Sequence, residues 1–301
     1  MQTKPPPPVE RGAQLAEGYL CEVLLSRGEA FDVYGAWSLD RYCRCVVKLM
    51  RPDVTSAGLR RRLLFEGQLL TRLDHPHLLR GYEVRKDPVL VASRPLTGYP
   101  LGRLLREGHR LTAGDLAHLA GQVCSALRYL HGAGYVHLDV KPADIVLESG
   151  LATLLDFSLV QRPGRVPRRT GTPRYMSPEQ ARGGAAGTAA DVWGLGITLF
   201  EAATGQGPFA EAWQQISSAG CPTCHPTGTA SGAASPPGLD RLPQERLRAP
   251  AVKSRRARLP RDLSSLIDAC LEPDAGDRPT LDDVAPVLEQ LTGLGPPLLT
   301  V

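Results

Sequence analysis

The segment His137-Leu-Asp-Val-Lys-Pro-Ala-Asp144 places two carboxylates and a lysine on one short loop, and twelve residues beyond Asp144 comes Asp156-Phe-Ser158 at the end of an apolar stretch. Carboxylate oxygens suit hard divalent cations and can take a proton from a hydroxyl. A lysine ammonium is a compact charge suited to a phosphate. The chain has five lysines (Lys4, Lys48, Lys86, Lys141, Lys253) against thirty arginines, so a lysine kept here is one that arginine does not replace. Lys48 closes the apolar run Cys45-Val-Val-Lys48, and Glu66 lies nine residues before His75-Pro76. Taken singly, each has a plain rival. Lys48 could be an exposed strand lysine, Glu66 a solvated helix residue, and Asp139, Asp144 and Asp156 turn formers.

Patterning indicates the elements that must hold these residues. Strand-like segments run over Tyr19–Leu25, Ala30–Trp37, Cys43–Met50, Leu78–Val84 and Val89–Ala92, with one helix over Ala57–Leu73 carrying leucines at helical spacing. After Pro95 the pattern becomes helical: Leu116–Leu130, Ala189–Thr204, Leu263–Leu271 and Leu281–Leu291, with a small hairpin at Ile145–Leu147 and Thr153–Leu155. A β-rich part followed by an α-rich part predicts two lobes. Residues 1–13, with Pro5 to Pro8, read as an extended, mobile tail, and residues 205–260 as loop. Hydrophobic residues make up 42% and charged residues 22% of 301, with a formal net charge of +4, as for a globular chain. No apolar run approaches the ~20 residues of a membrane span. Seven scattered cysteines fit free thiols in a reducing compartment, so a cytoplasmic location is expected. Arginine-, alanine-, glycine- and proline-rich usage points to a GC-rich, bacterial genome.

Gly171-Thr-Pro-Arg-Tyr-Met-Ser-Pro-Glu179, Asp191-Val-Trp-Gly-Leu-Gly196 and Arg278 in Gly-Asp-Arg-Pro complete an ordered set that resembles the protein-kinase superfamily, over about residues 15–293. Its style is similar to bacterial, actinobacterial-like eukaryotic-type serine/threonine kinases. The resemblance implies an α+β bilobal protein-kinase fold, with a small β-rich N-lobe with one main helix (14–92), a hinge (93–95) and a larger, mostly helical C-lobe (96–295) ending in a short tail (296–301). It implies γ-phosphoryl transfer from ATP with Mg²⁺, or Mn²⁺, to protein serine and threonine hydroxyls, with autophosphorylation. Residue by residue, Lys48 matches the lysine that holds the α- and β-phosphates and Glu66 its partner. Asp139 matches the catalytic carboxylate, Lys141 the lysine that neutralises the γ-phosphate, and Asp156 the metal-binding aspartate. Glu179 and Arg278 match a buried structural ion pair. The nucleotide is expected between the lobes, with Val33 and Val46 above the adenine, Val146 beneath it, and Ala92 guarding the pocket behind. Thr172 is expected to reach towards Asp139 and Lys141, and Thr170 to be the exposed, autophosphorylated hydroxyl.

Several positions depart from the pattern. Of three phosphate-loop glycines only Gly28 remains, with Ser26 and Phe31 at the others, and a side chain there obstructs close backbone approach. Asp144 stands in place of the asparagine that binds a second metal ion, and Ser158 replaces a glycine. Leu138 replaces the arginine that pairs with a phosphorylated activation loop, so gating by that phosphate is not expected. An alternative is therefore a pseudokinase acting as scaffold or allosteric regulator. Cys221-Pro-Thr-Cys224-His225 looks like half a metal site and is read as loop insert. The basic stretch Arg246–Arg261 has no interleaved aromatics, so nucleic acid is not expected as a partner.

Overall fold

Six antiparallel strands, β1 (Gln14–Ala16), β2 (Tyr19–Arg27), β3 (Phe31–Ser38), β4 (Cys43–Met50), β5 (Gly81–Lys86) and β6 (Val89–Ser93), form one sheet in the order β1-β2-β3-β4-β6-β5. They belong to a computed structural model that describes residues 6–218 and 241–293. Contacts divide the chain into two units, Met1–Thr97 with Leu155–Ser158, and Gly98–Leu154 with Leu159–Val301.

The first unit is built on the two faces of this sheet. Tyr34, Ala36, Cys45, Val47, Leu49, Leu90 and Ala92 project to one face and pack with Leu15, Tyr19 and Cys21. Helix α1 (Ala57–Arg72), capped by the Ser56 hydroxyl, packs on β5 and β6. Gly67 sets how closely: a Cβ there would lie 2.6 Å from Val84 Cγ2 and 2.7 Å from Val91 Cγ2. The segment expected to be a mobile tail is held from residue 6 onward. Val9 donates its N–H to Tyr34 Oη at 3.1 Å, Cys21 Sγ donates to the Val9 carbonyl, and Gly12 and Cys21 N–H groups donate to the Cys21 and Ala13 carbonyls at 2.8 Å. Val9 packs on the apolar cluster, which is why a proline-rich stretch becomes part of the fold.

The second unit is helical. It comprises α2 (Leu101–Arg106), α3 (Ala113–Gly132), α4 (Pro178–Arg182), α5 (Thr188–Thr204), α6 (Ala210–Ser218), α7 (Arg261–Cys270) and α8 (Leu281–Thr292). A three-stranded sheet of β7 (Tyr99–Pro100), β8 (Ile145–Glu148) and β9 (Leu151–Leu154) and a two-residue ladder of β10 (Gly164–Arg165) with β11 (Ala185–Ala186) complete it. Every residue of α5 from Ala190 to Phe200 is buried, and α3 and α7 pack against it. Thr112 and Asp115 form a reciprocal cap on α3, as Thr280 and Asp283 do on α8.

Two sequence expectations shift. β5 begins at Gly81 rather than Leu78. The stretch 205–260 is not all loop, because α6 forms where Phe209 and Trp213, four residues apart, bury together. Cys221, Cys224 and His225 lie outside the described residues. In the basic stretch, Arg255 pairs with Glu211 at 2.9 Å and Arg256 donates to the Leu111 and Ala203 carbonyls. Those charges serve the fold of this unit.

Candidate active site

In the first unit, β4 and α1 bring two charged residues together. Lys48 Nζ lies 2.9 Å from both carboxylate oxygens of Glu66 and 3.4 Å from Asp156 Oδ1. The close packing at Gly67 is what carries its neighbour Glu66 to the sheet. Burial works against the charge on Lys48, but Glu66 and then Asp156 outweigh it and hold the ammonium above the usual lysine range. Burial likewise pushes the Glu66 carboxyl up, against the pull of Lys48. Asp156 sits at φ 50°, a left-handed conformation, and accepts the Ser158 N–H at 3.3 Å.

Strand register fixes what shares a face with Lys48. Val33 lies opposite Lys48, and Val46 lies opposite Gly35 and Ser93. Ala92 lies opposite Val47 and is fully buried in the cluster on the other face. Ala92, expected to line the nucleotide pocket, therefore lies on the face away from Lys48 and Val46. Side chains alternate along a strand, so Ser93 shares the Val46 face. Ser26, which is exposed, pairs with Val33, and Gly28 donates its N–H to the Phe31 carbonyl at 2.8 Å.

In the second unit, a short loop before β8 carries the other carboxylates. Lys141 Nζ contacts the Asp139 carboxylate and lies 2.7 Å from Asp144 Oδ2. Burial opposes its charge, but these two carboxylates hold Lys141 protonated above the usual range. The backbone under the loop is fixed by Asp191 at the start of α5. Its buried carboxylate accepts the N–H groups of His137 and Leu138 at 2.8 and 2.7 Å and lies 2.8 Å from His131 Nε2. Leu138 adopts φ 66°, a strained conformation that this double hydrogen bond holds in place. Val146, in β8, is buried and lies opposite Pro100 and Thr153.

The segment between Leu159 and Glu179 docks on that loop. Thr172 donates its N–H to Asp139 Oδ1 at 2.8 Å and its hydroxyl to Asp139 Oδ2 at 3.1 Å. Thr170, half-buried rather than exposed, donates its hydroxyl to the Pro167 carbonyl at 2.8 Å. Gln180 Nε2 ties the Leu138 and Thr170 carbonyls at 2.7 and 2.9 Å. Leu138 itself packs with Val136, Val166, Ala186, Ala190 and Leu159. Arg278 makes a two-pronged pair with Glu179, at 2.8 and 2.9 Å, beneath the segment.

The residues that the motifs single out thus fall into two sets, Lys48–Glu66–Asp156 and Asp139–Lys141–Asp144–Thr172, each assembled within its own unit. Three contributors escaped sequence reasoning. Asp191 was visible as a motif residue without a role, Gln180 carried no signal, and Ser93 was displaced by a one-residue register error.

A family model described as protein kinase domain matches residues 19–287. The chain is 32% identical over 251 residues to the serine/threonine-protein kinase PkaA of Streptomyces coelicolor, covering 79% of this chain and 41% of that protein. It is 33% identical over 216 residues to the DNA damage-responsive serine/threonine-protein kinase RqkA of Deinococcus radiodurans, covering 67% and 32%. It is 30% identical over 263 residues to the serine/threonine-protein kinase pkn3 of Myxococcus xanthus, covering 80% and 46%. The chain spans less than half the length of each of these curated relatives.

Proposed function

The chain belongs to the protein kinase family, and from that premise we propose that it is an ATP-dependent serine/threonine kinase, transferring the γ-phosphoryl group to protein hydroxyls. The observation that carries the reading is the Asp139 carboxylate, held by Thr172 on one side and by Lys141 on the other. A carboxylate placed there by a threonine of the docking segment is positioned to orient an acceptor hydroxyl and take its proton. The names of the relatives support serine and threonine as acceptors.

The donor set fits the nucleotide and a divalent ion. Lys48, kept charged by Glu66, would pair with the α- and β-phosphates. Lys141 would neutralise charge developing on the transferred group. Asp156, in the first unit, and Asp144, in the second, each offer hard carboxylate oxygens of the kind that would bind Mg²⁺ or Mn²⁺. When bound, the ion supplies neutralisation of phosphate charge. In the first unit, Val33, Val46 and Ser93 would contact the adenine side, and Gly28 and Ser26 would flank the phosphates. Retention of Lys48, Glu66, Asp139, Lys141 and Asp156 together speaks against the scaffold alternative.

No helix among the described residues is long and apolar enough to cross a membrane. Buried free thiols at Cys21, Cys45, Cys124 and Cys270 are consistent with a reducing, cytoplasmic setting. The reading is tested by incubating purified protein with γ-labelled ATP, Mg²⁺ or Mn²⁺ and a general protein acceptor, then hydrolysing the product. Labelled phosphoserine or phosphothreonine supports it; label-free acceptor and chain under both metals would count against it.

A further inference from the structure

Phe31 opens β3 opposite Met50, and two residues on, Val33 lies opposite Lys48. Side chains at 31 and 33 share a face, so Phe31 is the diagonal neighbour of Lys48, within reach of a long side chain. Its ring centroid lies 5.5 Å from Lys48 Nζ, inside the range of a cation–π contact. The backbone that aims the ring is pinned. Gly28 donates its N–H to the Phe31 carbonyl at 2.8 Å, the Arg51 N–H reaches the Ala30 carbonyl at 2.9 Å, and the Arg51 guanidinium reaches the Gly28 carbonyl at 3.0 Å. A ring held this way is a built feature of the loop.

The ammonium of Lys48 already has three polar partners, the two oxygens of Glu66 and Asp156 Oδ1. A phosphate oxygen that takes a share of that ammonium must displace something. The two carboxylates are full charges at 2.9 and 3.4 Å, whereas the ring offers only its quadrupole from 5.5 Å. The ring is the weakest of these partners.

We propose that the Phe31 ring is a displaceable cover on Lys48, which competes with the phosphates of a nucleotide and leaves recognition of its base untouched. The inference rests on the nucleotide-binding reading above. It makes Phe31 a specificity-determining residue that lowers the advantage of phosphate-bearing ligands over the bare nucleoside.

The test is calorimetric titration of the intact chain with ATP, ADP and adenosine, for the native protein and for Phe31→Gly and Phe31→Leu. Leucine keeps bulk but has no π face, and unfolding midpoints report whether each variant folds; if the glycine variant does not, the leucine variant decides. Both variants should bind ATP and ADP about two- to fivefold more tightly, the size expected for removing one cation–π competitor, with adenosine unchanged. A gain confined to glycine would mean plain obstruction and overturn the proposal. So would an equal change for all three ligands. Binding of ATP that Lys48→Ala weakens but neither Phe31 variant alters sinks this inference alone. Failure of every variant to bind ATP or adenosine sinks the nucleotide reading itself.

Discussion

Thr172 grips the Asp139 carboxylate with two donors, its backbone N–H and its hydroxyl, at 2.8 and 3.1 Å. The carboxylate is thereby oriented by the same segment that would receive a protein substrate. Removing the hydroxyl with Thr172→Ala should lower phosphotransfer about tenfold, since small misplacements of a reacting group are costly. Thr172→Ser should keep most of the rate. Thr170→Ala should also keep most of it, because its hydroxyl bonds only within the segment, to Pro167. Steady-state rates of the three variants check this; a large loss with Thr170→Ala, rescued by Thr170→Glu, would point to control by phosphorylation.

Leu138 makes a second prediction. It is 2% exposed within an apolar cluster that joins the Asp139 loop to Val166 and Ala186. Leu138→Arg would bury a charge without a partner and should cost about 3 kcal/mol or more of stability. Leu138→Met, which conserves volume, should cost under about 1.5 kcal/mol. Denaturant unfolding distinguishes them, and an arginine variant as stable as the native chain would show that this cluster opens readily.

If the proposed nucleotide site holds, the register of β6 makes Ser93 the residue that limits bulky adenine analogues. Ser93→Met should weaken analogues enlarged on the base while sparing ATP. Ala92→Met should instead destabilise the fold by overpacking a fully buried position, by about 1–3 kcal/mol. Competition binding and thermal unfolding of the two variants separate these outcomes, and selective loss of analogue binding in Ala92→Met would reverse the assignment.

Asp144 is tied to Lys141 at 2.7 Å, and the proposed function would make its carboxylate a ligand of the divalent ion. Replacing it by asparagine removes one anionic ligand, so the metal dependence of phosphotransfer should change, with Mg²⁺ and Mn²⁺ titrations read side by side. An unaltered profile for Asp144→Asn would remove that residue from metal binding.

Much of this was legible in the residues. β4 runs from Cys43 to Met50 as its alternation indicates, α1 ends one residue short of the expected Leu73, and Lys48 meets Glu66, and Lys141 meets Asp139, in line with what the family resemblance implied. What stayed hidden depended on tertiary partners. Nothing local reveals that Val9 would pack on the Tyr34–Val47 face, or that Phe209 and Trp213 would fix α6 in a loop-like stretch. The Ala92 error has the same origin: a continuous apolar run, Val89 to Ala92, gives no sign of which face each residue takes, and only pairing with β4 does. Gln180 and Asp191 hold the loop before Asp139 through backbone groups, and backbone partners leave no trace in spacing.

The most direct measurement is a single-turnover comparison of γ-phosphoryl transfer by the native chain and by Asp139→Asn, with nucleotide binding measured on both. Asparagine keeps the shape but cannot take the hydroxyl proton, so transfer should fall by about 10²- to 10⁴-fold, while ATP binding and the unfolding midpoint stay near native values. Equal transfer by the two proteins, or none by the native chain despite tight ATP binding, would contradict the assignment of Asp139 as the catalytic carboxylate of an active kinase.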